Sequence, residues 1–292
     1  MTPAVETPRK TQFAWPELAW FAALAVACYA PVLLALVRQW GDDPDMSHGF
    51  FVPVVAAYIV WQRREELLAM RAEPNWWGLA VVAWGAVQLW LGTLAVELFL
   101  TRTAFVITLI GAVWLLCGTR ILRALAFPLL LCFFMVPIPA VIYNSLTFKL
   151  QLVASSLAEH ALDILSVPVL REGNVLVLPN QTLSVVEACS GIRSLLSLTF
   201  LSLVYGYFFE TKRWIRFALF LATIPIAIVA NGSRVTLAGV LTQIKPELAE
   251  GAYHEASGWV IFMVALAILM VFHQVILRTL RFVQVWRNRA LS

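Results

Sequence analysis

The chain has 292 residues, of which 61% are hydrophobic and only 13% charged, with a formal charge of +4. That is too apolar for a water-soluble domain and places the chain in a bilayer. The basic residues stand in short clusters between apolar runs, the pattern by which membrane topology is written, which excludes nucleic acid as a partner.

A spanning helix needs roughly 20 mostly apolar residues. No cleavable leader is expected, so the first such stretch, residues 16–37, stays as an anchor behind a cytoplasmic tail at residues 1–15. An outer segment with Asp42, Asp43 and Asp45 follows, and then a run at 49–61 that is marginal by length. Further spans are expected at 76–92, 104–118 and 121–143. Residues 144–187 form an outer-face insertion. Within it, 145–166 is read as a helix that does not cross, because it carries Lys149, Glu159, His160 and Asp163. Residues 167–170 and 175–178 are read as a small β-hairpin about the turn 171–174, bounded by Pro168 and Pro179. The last spans are expected at 188–209, 214–230 and 256–277, with a cytoplasmic tail at 278–292.

The marginal run at 49–61 is decided by charge. Counted as the eighth span, it leaves both termini on one face. Fourteen Lys and Arg residues then share that face, in clusters around Arg63, Arg120, Lys212 and Arg278, against seven on the other, Arg102, Arg193 and Arg234 among them, together the 21 of the chain. The positive-inside rule makes the richer face cytoplasmic. The expected fold is an all-α integral membrane protein, a single polytopic domain over residues 1–292, with about eight transmembrane helices and a small outer-face β-hairpin.

Four cysteines, Cys28, Cys117, Cys132 and Cys189, show no metal-type spacing, so neither a disulfide framework nor a metal site is implied, and no cofactor. Three residues of chemically useful type fall at one depth on the outer face: Cys189 at the start of one helix, Arg234 just beyond the end of the next, and His254 just before the last. A thiol attacks as thiolate, which a helix N-terminus and a nearby cation favour, and Arg193 lies four residues on. His254 is suited to take the thiol proton and return it to a leaving amine. Arg234 is suited to a developing oxyanion, since a guanidinium is always charged and offers several donors. Glu187 flanks the cysteine, Asn231 is expected to end its helix and orient Arg234, and His48 is a second-rank substrate contact. His160 and His273 are read as a helix-surface group and an in-bundle residue.

The blocks Glu187-Ala188-Cys189-Ser190-Gly191-Ile192-Arg193, Asn231-Gly232-Ser233-Arg234 and His254 with Gly258-Trp259 closely resemble the signatures of the exosortases. The resemblance extends to Ser47-His48-Gly49 and to the hairpin at 169–179, and covers residues 45 to 265 in order. It implies a polytopic bacterial membrane protein with a Cys-Arg-His active site, unlike the soluble sortases in fold but similar to them in chemistry. Matched by motif, the three fall on Cys189, Arg234 and His254. The resemblance further implies as substrates exported proteins with a C-terminal tag, made of a Pro-Glu-Pro-type motif, a transmembrane helix and a basic cluster. It also implies location in the cytoplasmic (inner) membrane, lipid as the surrounding partner, and acyl transfer through a thioester. Two other classes stay open on the sequence: a transporter or flippase, and a non-catalytic assembly factor of an exopolysaccharide system. Charges collected at one face rather than along a central pathway disfavour the transporter.

Overall fold

The computed structural model describes residues 15–179, 181–185, 191–245 and 251–290, and of residues 15–19, 191, 251–255 and 289–290 it describes the backbone alone. The regular structure of the described residues is helical except for one small sheet, and the chain divides into two compact units, Met1–Ile138 and Pro139–Ser292. Among the described residues six helices are long and apolar enough to cross a bilayer, or seven if residues 126–135 and 140–164 count as one broken span. The all-α polytopic fold expected from the sequence is therefore the one observed. Its span count is lower than eight for two reasons. The run at 49–61 lies in Phe51–Gln62, a helix of 12 residues with Pro44–Phe50 running directly into it and Arg64–Ala69 close after it, so no single helix there has the length of a span. The run at 121–143 breaks at Val136–Pro139 into shorter pieces.

The first unit contains α1 (Trp15–Asp42), a 3-10 turn (Pro44–Phe50), α2 (Phe51–Gln62), α3 (Arg64–Ala69), α4 (Trp77–Leu94), α5 (Leu98–Ala124), α6 (Ala126–Leu131) and a second 3-10 turn (Cys132–Met135). Helices α4 and α5 pack backbone to backbone. Gly78, Gly85 and Gly92 recur every seven residues on α4, and a β-carbon at any of them would run into Leu115, Thr108 or Thr101 of α5. Lipid supplies no hydrophobic drive between helices, so small residues that allow close approach are what hold such a pair. The Tyr29 hydroxyl of α1 donates to the Ala104 carbonyl of α5 at 3.2 Å and lies 2.7 Å from the Thr108 hydroxyl.

The second unit contains α7 (Ala140–Ile164), strands β1 (Leu170–Glu172), β2 (Val175–Val177) and β3 (Thr182–Ser184), then α8 (Gly191–Phe209), α9 (Arg213–Ile244) and α10 (Gly251–Ala290). The strands form one antiparallel sheet in the order β1-β2-β3. The first two form a hairpin where one was expected, but its first strand is Leu170–Glu172 rather than 167–170 and its turn is only Gly173-Asn174, with Gly173 at φ 69° supplying the left-handed position. The third strand is additional. Leu176, Leu178, Leu183 and Val185 share a buried core with Ala154, Ala158 and Leu162 of α7 and with Val235 and Ala238 of α9. A second core joins Leu198 of α8, Leu219 and Ala227 of α9, and Ala265 and Leu269 of α10. Large apolar side chains on the outside, such as Trp259 and Val264 on α10, are what a lipid-facing surface requires.

Candidate functional site

Helices α8, α9 and α10 pack on one another and enclose a crevice of about 10 Å³, room for a single water. Ser194 of α8, Asn231 and Arg234 of α9, and Gly258 of α10 are its polar and backbone walls; Leu198, Ala227 and Ile261 are among its apolar ones. Asn231 and Arg234 are three residues apart and so share one helical face. Asn231 is buried, and Arg234 is half-buried.

The fit of Arg234 depends on Gly258. A β-carbon built on Gly258 would stand 2.9 Å from Arg234 Cζ, 3.0 Å from Nη2 and 3.3 Å from Nε, so the guanidinium lies across the bare backbone of α10. Any side chain there would push it away. Gly258 is four residues after His254, within one continuous helix, so the two positions share a face of α10. Arg234 thus meets α10 one turn from the position of His254.

Depth along each helix agrees. At about 1.5 Å per residue, Arg234 lies ~31 Å along α9 from Arg213, and Gly258 lies ~30 Å along α10 from Arg278. Two residues in contact are each one hydrocarbon thickness, about 30 Å, from the basic cluster at the other end of their own helices.

The structure revises three expectations about these positions. Arg234 is not beyond the end of its helix, because α9 runs on to Ile244. Asn231 does not end the helix; it is an interior, buried position. His254 does not precede the last helix but falls in the first turn of α10, which begins at Gly251. The reason lies in packing: Gly232 meets Leu157 and Gly239 meets Leu162 of α7, so the polar stretch after Ala230 is covered by protein and stays helical.

Of the other sequence-predicted residues, Cys189 and Glu187 lie outside the described residues, as does the side chain of His254. Arg193 is half-buried in the first turn of α8. His48 is buried in the first 3-10 turn, 7% exposed, with Nε2 3.1 Å from the Phe134 carbonyl. Burial pushes its pKa down, against the raising effects of the Phe134 and Asp45 carbonyls and of the Asp45 charge. Of the wall residues, Ser194 was not singled out from sequence, and Gly258 entered only as part of the block that follows His254, with no role assigned to it. The available signal for Gly258 was a glycine inside a long apolar helix, where it costs about 1 kcal/mol relative to alanine and so calls for a packing reason.

A helical membrane bundle with three helices meeting at an arginine-lined crevice defines a multi-pass protein with a polar site at one end of the bundle. The family model for transmembrane exosortases matches residues 40–271, most of the chain and all of this site. The chain belongs to the transmembrane exosortase family, membrane proteins with a general sorting and transpeptidase role toward exported proteins that carry sorting tags. No curated protein and no solved structure gives a match.

Proposed function

We propose that this exosortase is a cysteine transpeptidase that cleaves the C-terminal tag of exported proteins at the outer face of the cytoplasmic membrane. The observation that carries the proposal is the seating of Arg234 on Gly258, one turn from His254, in a crevice walled by the helix that follows Cys189. With 49–61 counted as a crossing, the positive-inside rule sets both termini and the Lys212, Arg213 and Arg216 cluster in the cytoplasm, and one membrane thickness along α9 then brings Arg234 to the periplasmic side.

In this mechanism His254 takes the proton of the Cys189 thiol, and the thiolate attacks the scissile carbonyl carbon. The carbonyl π electrons move onto oxygen, and Arg234 donates to that oxyanion. Collapse of the tetrahedral intermediate breaks the C–N bond, and His254 returns its proton to the departing amine. A thioester remains on Cys189, and the tag with its transmembrane helix departs through lipid. A second nucleophile, whether water, an amine, a sugar or a lipid group, attacks the thioester and frees the thiol. Asn231, buried three residues before Arg234 on the same crevice wall, orients the arginine, and Arg193 adds positive charge beside the thiolate. A tag made of a Pro-Glu-Pro-type motif, a spanning helix and a basic cluster suits this depth, because a cytoplasmic basic cluster leaves the motif at the outer interface.

The test is selective alkylation. A membrane-impermeant maleimide applied to intact spheroplasts is expected to label wild-type protein at Cys189 and to stop processing of a co-expressed tagged protein. Labelling that is unchanged in Cys189→Ser, or processing that survives full modification, would remove the thiol from the mechanism.

A further inference from the structure

Among the described residues strand β3 has an open edge. Leu178 N–H donates to the Gln181 carbonyl at 3.0 Å and Val185 N–H to the Asn174 carbonyl at 3.0 Å. These bonds fix the phase of the β2–β3 ladder, in which Leu176 faces Leu183. Gln181, Leu183 and Val185 turn their amide and carbonyl groups toward β2, and Thr182 and Ser184 turn theirs the opposite way. Among the described residues nothing takes up those two N–H and two C=O groups. Thr182 is exposed and Ser184 half-buried, so the edge is reachable.

The edge is also anchored by buried side chains and close in sequence to Cys189. Leu183 and Val185, on the opposite face of the strand from Thr182 and Ser184, are buried in the core that contains Val235, the residue next to Arg234. Cys189 follows Ser184 by five residues, at most ~17 Å of extended chain. The other edge is less open. Only Arg171 in the middle of β1 faces outward, its side chain is tied to Glu159 at 2.6 Å, and β1 packs on α7.

An unpaired strand edge has one natural ligand, an extended polypeptide whose own amides alternate at the same spacing. We infer that the open edge of β3, through the backbone groups of Thr182 and Ser184, binds the extended segment of the substrate polypeptide beside the scissile bond as an added fourth strand. This inference rests on the reading of Cys189 as the nucleophile, and it adds a sequence-tolerant docking surface that the crevice, with room for one water, does not offer.

The test uses the detergent-solubilised full-length enzyme and a synthetic peptide spanning the cut site of a tagged protein that it processes. The peptide is N-methylated at one non-proline position at a time. Strand addition places alternate amides against the edge, so the effect should repeat every second residue. KM should rise roughly fivefold to tenfold at bonded positions and stay unchanged at the positions between, with kcat unaffected. On the enzyme side, Ser184→Pro removes one outward donor that the sheet itself does not use, and edge strands tolerate proline there. It should raise KM by a similar factor and abolish the penalty of the one N-methyl position that faces it. If the unmodified peptide is cut but the N-methyl scan shows no alternation, the edge proposal is overturned and the thiol chemistry stands. If the peptide is not cut, and Cys189→Ala does not bind it either, both fall together.

Discussion

The guanidinium of Arg234 lies where a side chain on Gly258 would otherwise be, with Cζ 2.9 Å from the β-carbon that glycine lacks. Gly258→Ala should therefore displace the arginine while favouring the helix, since alanine is the better helix former by about 1 kcal/mol. Tag processing is expected to fall about tenfold or more, with kcat rather than KM affected and the melting temperature in detergent equal or higher. A variant that melts earlier and processes normally would show that the contact is only packing.

Arg234→Lys keeps the charge but loses the planar fork. Processing by this variant should fall by about 10², the size of effect seen when an oxyanion donor is removed. Expression and membrane insertion, followed by immunoblot of the membrane fraction, should match wild type.

At the other end of the bundle, Glu210 and His273 form a buried pair, Oε2 to Nε2 at 3.2 Å, with exposures of 7% and 2%. The remaining Glu210 oxygen accepts the amides of Thr211 and Lys212 at 2.7 and 2.8 Å, and the Tyr205 hydroxyl lies 2.9 Å from His273 Nδ1. The pair ties the end of α8 to the middle of α10. His273→Ala strips one partner from a buried carboxylate and should destabilise the protein by about 3 kcal/mol. Thermal unfolding in detergent checks this, and the accompanying His273→Ala/Glu210→Ala double variant should recover part of the loss.

His48 gives a pH dependence. Its pKa is lowered in the folded protein by burial, so the unfolded chain binds the proton more readily. Stability is full above the ordinary imidazole value of about 6.5 and declines as pH falls below it. Melting curves at pH 7.5 and 5.5 should differ more for wild type than for His48→Gln, which has no proton to gain.

How much of this was legible in the sequence depended on what set each boundary. The long apolar runs that became α1, α4, α5, α8, α9 and α10 announced themselves, because lipid demands length and hydrophobicity and little else. The hairpin was legible from Gly173, a turn residue between two short apolar runs. The end of α9 was not. Asn231-Gly232-Ser233-Arg234 looks like a helix terminus by composition, and only the contact of Gly232 with Leu157 of α7 explains why the helix continues. Strand β3 was missed because Thr182-Leu183-Ser184 is short and half polar, and its partner is specified by register rather than by pattern. Residues 49–61 looked marginal in the sequence because the helix there, Phe51–Gln62, has only 12 residues and shares its path with the turn Pro44–Phe50 before it and Arg64–Ala69 after it. The types and spacing of Arg234 and His254 were visible in the chain, whereas the glycine that seats the arginine acquires its meaning only once α9 and α10 are packed.

The most direct test of the central claim is the mass of the processed protein's new C-terminus when a tagged exported protein is co-expressed with wild-type enzyme or with Cys189→Ala. Wild type should yield a single shortened species, at the bare truncation mass or with one added acceptor, and Cys189→Ala should leave the full-length tag intact at equal expression. A shortened species of the same mass from cells carrying only Cys189→Ala would contradict a thioester on this cysteine.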